Sequence, residues 1–141
     1  MNIRSALAGT AVALAVLVGF GSQTVAQEKG KSRPLTSHQL MEGLVKPQMT
    51  ALSTALNGAG PADEKAWKGA ATAAALLNES SHVMMADGRA PDSTWEEACK
   101  QLDEGTKAVL ARIAAKDVAG AREGMRTVAQ SCGTCHKAHK K

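Results

Sequence analysis

From Ser37 to the C-terminus, apolar residues recur at the spacing of a single α-helical face in four successive segments. In the first, His38, Met41, Val45, Met49, Leu52 and Leu56 share one stripe, and in the second Trp67, Ala70, Ala74, Leu77, Ser81 and Met85 do. The third aligns Trp95, Ala98, Leu102, Val109 and Ile113; the fourth aligns Val118, Ala121, Met125, Val128, Cys132, Cys135, His136 and His139. Turn signals separate them at Asn57-Gly58-Ala59-Gly60-Pro61, at Asp87-Gly88-Arg89-Ala90-Pro91 and at Lys116-Asp117. Asp63 and Glu64 suit the positive end of the second helix, Asp92 or Ser93 can cap the third, and Asp117 the fourth. Pro47 takes a backbone donor away from the Gly43 carbonyl inside the first segment, which predicts a kink or an early break there.

Short connections force successive helices to run antiparallel. Four amphipathic helices of similar length bury their stripes most simply as an all-α, up-down-up-down four-helix bundle. Composition points the same way: one Phe, two Trp and no Tyr leave an apolar fraction dominated by Ala, Leu, Val and Met, which favours helix over sheet. A chain of 141 residues that is 44% hydrophobic can form one core but not comfortably two, and is too apolar for disorder. The formal charge of +4 comes partly from terminal lysines, with no long Lys/Arg run and no aromatic interleaving, so no nucleic-acid partner is expected.

Residues 1–26 have the layout of an export signal: Arg4, an apolar run from Ala6 to Phe20, and Thr24-Val25-Ala26 as a small-residue cleavage site. The run is short for a membrane span of about 20 residues; an uncleaved anchor is the alternative. Cleavage after Ala26 leaves a domain of 27–141, about 115 residues, a size that can bury a core. The expected location is the periplasm, with no stable membrane insertion after cleavage.

Cys132-Gly133-Thr134-Cys135-His136 is a C-x-x-C-H pattern, the attachment motif of haem c. Two thiols three residues apart on a helix can each add to a vinyl group of the macrocycle, and the adjacent imidazole is then held beneath the iron as proximal ligand. A bundle poor in aromatic residues also leaves space for a planar apolar group. Other uses of the same residues remain open: a zinc site from Cys132, Cys135, His136 and His139, a redox dithiol, or a plain disulfide in an oxidising compartment. Crowding on two helical turns makes the zinc geometry awkward, and the dithiol lacks a βαβ setting.

With these residues in view, the chain resembles the class II cytochromes c, which include cytochrome c prime and its low-spin relatives. The resemblance covers nearly all of 27–141. It rests on the Cys132–His136 motif near the C-terminus, on Trp95 opening the third helix, and on the stretch from Leu40-Met41 to Met49-Thr50-Ala51-Leu52. The family usually follows its motif with an aromatic residue and Arg; here His139 and Lys140 stand in those places. The resemblance implies one covalent haem per chain, and a function that turns on what the first helix presents to the other face of the iron. A Met there gives a six-coordinate single-electron carrier serving redox partner proteins, and not an enzyme. An apolar residue leaves the iron open to nitric oxide or carbon monoxide. Met41 is the first candidate for distal ligand and His38, one turn earlier, the second. Family members are often homodimers through their first two helices.

The remaining residues have plainer readings. Met49, Met84, Met85 and Met125 are expected in the core, together with Trp67, Trp95 and a free Cys99. His82 is expected at the surface and His139 at a frayed helix end. Lys137, Lys140 and Lys141 form a solvated terminus that complements the helix dipole and could steer an acidic redox partner.

Overall fold

Asp63, Asp92 and Asp117 each accept a hydrogen bond from a backbone N–H three residues on, at 2.7 Å from Ala66, 3.0 Å from Trp95 and 2.8 Å from Gly120. Asp117 is the cap expected from sequence and Asp92 one of the two candidates for its helix, while Asp63, expected to complement the helix dipole, proves to be a cap as well; each opens a long helix: α2 (Glu64–Met85), α3 (Ser93–Ala114) and α4 (Val118–His139). The computed structural model describes residues 31–140. The export-signal reading of 1–26 and the terminal Lys141 lie outside the described residues.

The first helix, α1, begins at a capping box in which the Thr36 hydroxyl accepts from the Gln39 N–H and the Gln39 side chain accepts from the Thr36 N–H. It then runs through three registers: an α-turn Ser37–Leu40, a π segment Met41–Val45, and an α stretch Lys46–Ala55. Of the kink or early break expected at Pro47, the break does not occur: the helix runs on to Ala55. Pro47 falls in the first turn of the last stretch, where its missing N–H costs nothing, and the irregularity lies just upstream as the π turn.

The described residues are all-helical, with no strand among them, and adjacent helices pack on each other: α1 on α2, α2 on α3 and, most extensively, α3 on α4. Glycines permit the closest approach. A Cβ on Gly124 would lie 2.8 Å from a Val109 methyl and 3.1 Å from the Val109 backbone nitrogen; one on Gly105 would lie 3.0 Å from the Val128 nitrogen. No comparable packing joins α1 to α4.

Two clusters make the core. One is aliphatic, built on Val45, Leu52, Leu56, Ala74, Leu77, Val109, Ile113 and Ala121. The other gathers Met84, Trp95, Cys99, Leu102 and Val128, with Met41, Met49, Met125 and Cys135 half-buried against it. Met84 takes the core place at the end of α2, and Met85, expected inside, is exposed, because the buried row there runs through Leu77, Ser80, Ser81 and Met84. Before α1, the chain at 31–35 lies across the α2–α3 turn: the Asp87 carboxylate accepts from the Ser32 and Arg33 N–H groups at 2.9–3.0 Å, and the buried Arg89 donates to the Leu35 carbonyl at 2.9 Å.

Candidate functional site

Because α1 packs along α2 and not closely against α4, a cleft of about 330 Å³ opens between α1 and α4. Met41, Val45 and Met49 line it from α1, Trp95 from α3, and Cys132, Cys135 and His136 from α4. A smaller recess of about 30 Å³ shares Met41, Val45, Cys132, Cys135 and His136 and continues to Met84, Cys99 and Leu102. Residues from opposite ends of the chain therefore converge on one mainly apolar cavity. Of the two candidates from the first helix, Met41 is half-buried in the lining of both spaces, whereas His38 is exposed at the rim. His38 had been expected on the core stripe; the π turn rotates it out.

Cys99, Cys132 and Cys135 are free thiols. Burial pushes the Cys99 thiol up to about 12, helped by the neighbouring Cys135. Burial raises Cys135 to about 11, with Cys132 and Asp92 adding to it, and burial also raises Cys132. A redox dithiol depends on a depressed thiol, so this environment speaks against that use. His136 was expected to point inward with the cysteines. It is exposed overall but contributes to the cleft wall, and partial burial, then the nearby Lys140 charge, hold its imidazole below the usual range. The neutral ring is the form that ligates a metal.

His139 is not frayed. It is buried, with its ring edge-on to Trp95 at a centroid distance of 5.4 Å and 69° between planes. Its Nε2 lies 3.4 Å from Asp92 Oδ1 without forming a hydrogen bond. Trp95 in turn donates its indole N–H to the Met84 carbonyl at 3.0 Å. These contacts tie the last turn of α4 to the start of α3. His82, expected at the surface, is exposed and lies 3.3 Å from Asp103.

The rim of the cleft is charged. Lys46 pairs with Glu42 at 2.9 Å, and the Lys46 hydrogen bond, then its charge, hold the Glu42 carboxyl below its usual value, with His38 and Lys140 acting in the same direction. The mouth thus gathers His38, Lys46 and Lys140 around one carboxylate. This grouping was not visible in sequence, since α1 and α4 meet only in the folded chain. Nor was the position of Cys99: its sequence setting puts it in the core, but not in the same recess as Cys132 and Cys135.

Among the described residues, no group of three or more His, Cys, Asp and Glu side chains is placed to hold a metal ion, so the zinc alternative lacks its ligand shell. A haem iron needs at most two protein ligands, because the macrocycle supplies the rest. The residues present fit that group: an apolar floor, two thiols and an imidazole on one helix, a thioether on another, and cations at the mouth for its carboxylates. Searches of protein-family models, curated proteins and solved structures returned no match to this chain.

Proposed function

We propose that this chain is a class II c-type cytochrome: an antiparallel up-down-up-down bundle, exported to the periplasm behind a cleaved 1–26 signal, that carries single electrons between redox partner proteins. It is not an enzyme in this reading. Cys132 and Cys135 hold one haem c through two thioethers, His136 is the proximal ligand, and Met41 is the distal one. When bound, the group supplies a one-electron iron couple. The chain's part is to retain it covalently, to exclude water with Val45, Met49 and Trp95, and to set the iron's ligands. The observation that carries the reading is the meeting of Met41 with Cys132, Cys135 and His136 in one cleft.

A thioether in the sixth position raises the reduction potential and leaves no site for exogenous ligands, which suits a carrier. The test is the ferrous absorption spectrum before and after carbon monoxide, on protein matured in a host that attaches haem c. Sharp, split visible bands indifferent to carbon monoxide are expected. A broad ferrous spectrum that shifts on addition would replace the carrier with a protein that binds nitric oxide or carbon monoxide. The absence of any covalent pigment would end the haem reading.

A further inference from the structure

Downstream of the π turn, Val45, Leu52 and Leu56 are buried at ordinary helical spacing, with Met49 half-buried between them. Carried upstream at the same spacing, that face would pass through Met41 and His38. The structure instead buries Leu40 and Ser37 and leaves His38 exposed. The offset is one residue, the extra residue that a π turn contains, and at 3.6 residues per turn it rotates everything before it by about 100°.

The sequence holds a reason for the π turn to sit there. In an unbroken α register, Pro47 would have to donate to the Gly43 carbonyl, has no N–H to do so, and would press its ring against that carbonyl. In the observed register the Lys46 N–H bonds the Met41 carbonyl, five residues back, and Pro47 is the second residue of the α stretch that follows. Close packing at Gly43 is not the cause, because a Cβ there would meet nothing within 4 Å.

We propose that Pro47 is a positioning residue for the cleft: it sets the π turn, and the π turn decides which side chains of residues 37–41 face where. Met41 enters the cleft lining, Ser37 and Leu40 join the buried face, and His38 goes to the rim. Within the haem reading, on which this part rests, Pro47 thereby selects a thioether over an imidazole as the group offered to the iron. The choice of register stands on the chain alone.

The test uses the full chain with Pro47→Ala, and the same variant with Gly43 also deleted. Pro47→Ala lets the helix return to the α register, so His38 swings onto the buried face. Its modification by diethyl pyrocarbonate, followed by peptide mass spectrometry, slows several-fold, and the ferrous spectrum of the haem-loaded protein loses its thioether signature. Deleting Gly43 in that background removes the extra residue from a now regular helix and restores the original phase. His38 reactivity and the spectrum then return to those of the parent. The deletion variant also keeps the test sound if Pro47→Ala alone folds poorly. Unchanged His38 reactivity in folded Pro47→Ala, or failure of the deletion to restore it, overturns the role of Pro47. A changed reactivity with an unchanged spectrum leaves that role standing and removes Met41 as the ligand.

Discussion

The two core clusters of this molecule are built from different material. In the aliphatic cluster, Leu52, Leu77, Val109 and Ala121 have no exposed surface at all, and α1, α2, α3 and α4 each contribute to it. In the other, Trp95, Cys99, Met84 and the half-buried Cys135 surround Leu102 and Val128, and the half-buried Met41, Met49 and Met125 lie between the two clusters and touch both. Aliphatic side chains fill space to crystal-like density, whereas thioethers and thiols are adaptable and leave room. One cluster closes the fold, and the other stops short of closing it. The cleft is what remains where α1 has no partner in α4.

Substitutions at each cluster sharpen this contrast. The largest effect is all-or-none and falls on the open side: under the haem reading proposed above, changing Cys132 and Cys135 both to Ser abolishes covalent attachment, read as loss of pigment that survives acid–acetone extraction. The helix content, read by circular dichroism, stays close to that of the haem-free parent. On the closed side, Leu77→Ala leaves a cavity in a fully buried site and lowers stability by about 2–5 kcal/mol, measured by urea unfolding. Met49→Ala, at a half-buried residue of the cleft wall that touches both clusters, lowers it by less than half of that. Equal losses would mean that the cleft wall is packed as tightly as the aliphatic cluster and would remove the contrast. Gly124→Ala probes the α3–α4 seam that joins them. Its new methyl meets Val109, including the backbone nitrogen, and the clash of about 1–3 kcal/mol outweighs the ~1 kcal/mol gained in helix propensity.

The smallest effect concerns the strap over the α2–α3 turn. Hydrogen bonds from the Arg33 and Ser32 backbone and from the Ser32 hydroxyl hold the Asp87 carboxyl below its ordinary value of 3.8, with the Arg89 charge adding to them. A carboxylate depressed in the folded state stabilises above its unfolded pKa, and that contribution fades as the pH falls through the lower folded value. Asp87→Asn keeps a side chain that tolerates the positive φ of 63° at this position. It lowers the thermal midpoint at neutral pH, and the gap from the parent narrows below about pH 4. A gap that stayed constant down to strongly acidic pH would show that the charge of Asp87 contributes nothing.

Much of this architecture was legible locally. Asp63, Asp92 and Asp117 announce their helices because capping is an interaction over three residues, and Trp95, Leu102, Val109 and Ile113 announce the buried face of α3 by their spacing. The thiols and imidazole of the motif were fixed by adjacency. Other features depended on neighbours far away in sequence. His139 looks like a frayed end until Trp95 and Asp92 are seen beside it. Met85 and Met84 look equivalent until the curve of the buried row passes one of them by. The proline marked a disturbance of the first helix but not the register change that it takes, because a missing donor can be absorbed by a π turn as well as by a kink or a break.

The sequence by itself determined four helical segments, their caps and turns, and a C-x-x-C-H motif on the last, because each of these is set by residues within a turn or two of one another. The tertiary structure decided that Met41 lines both the cleft and its inner recess while His38 stays exposed at the rim, that Cys99 shares a recess with Cys135, and that Lys46 and Lys140 stand together at the opening. Those outcomes depend on the rotation of one helix about its axis and on which helices leave a gap between them. Both are settled by packing between helices, which periodicity along a single chain does not encode.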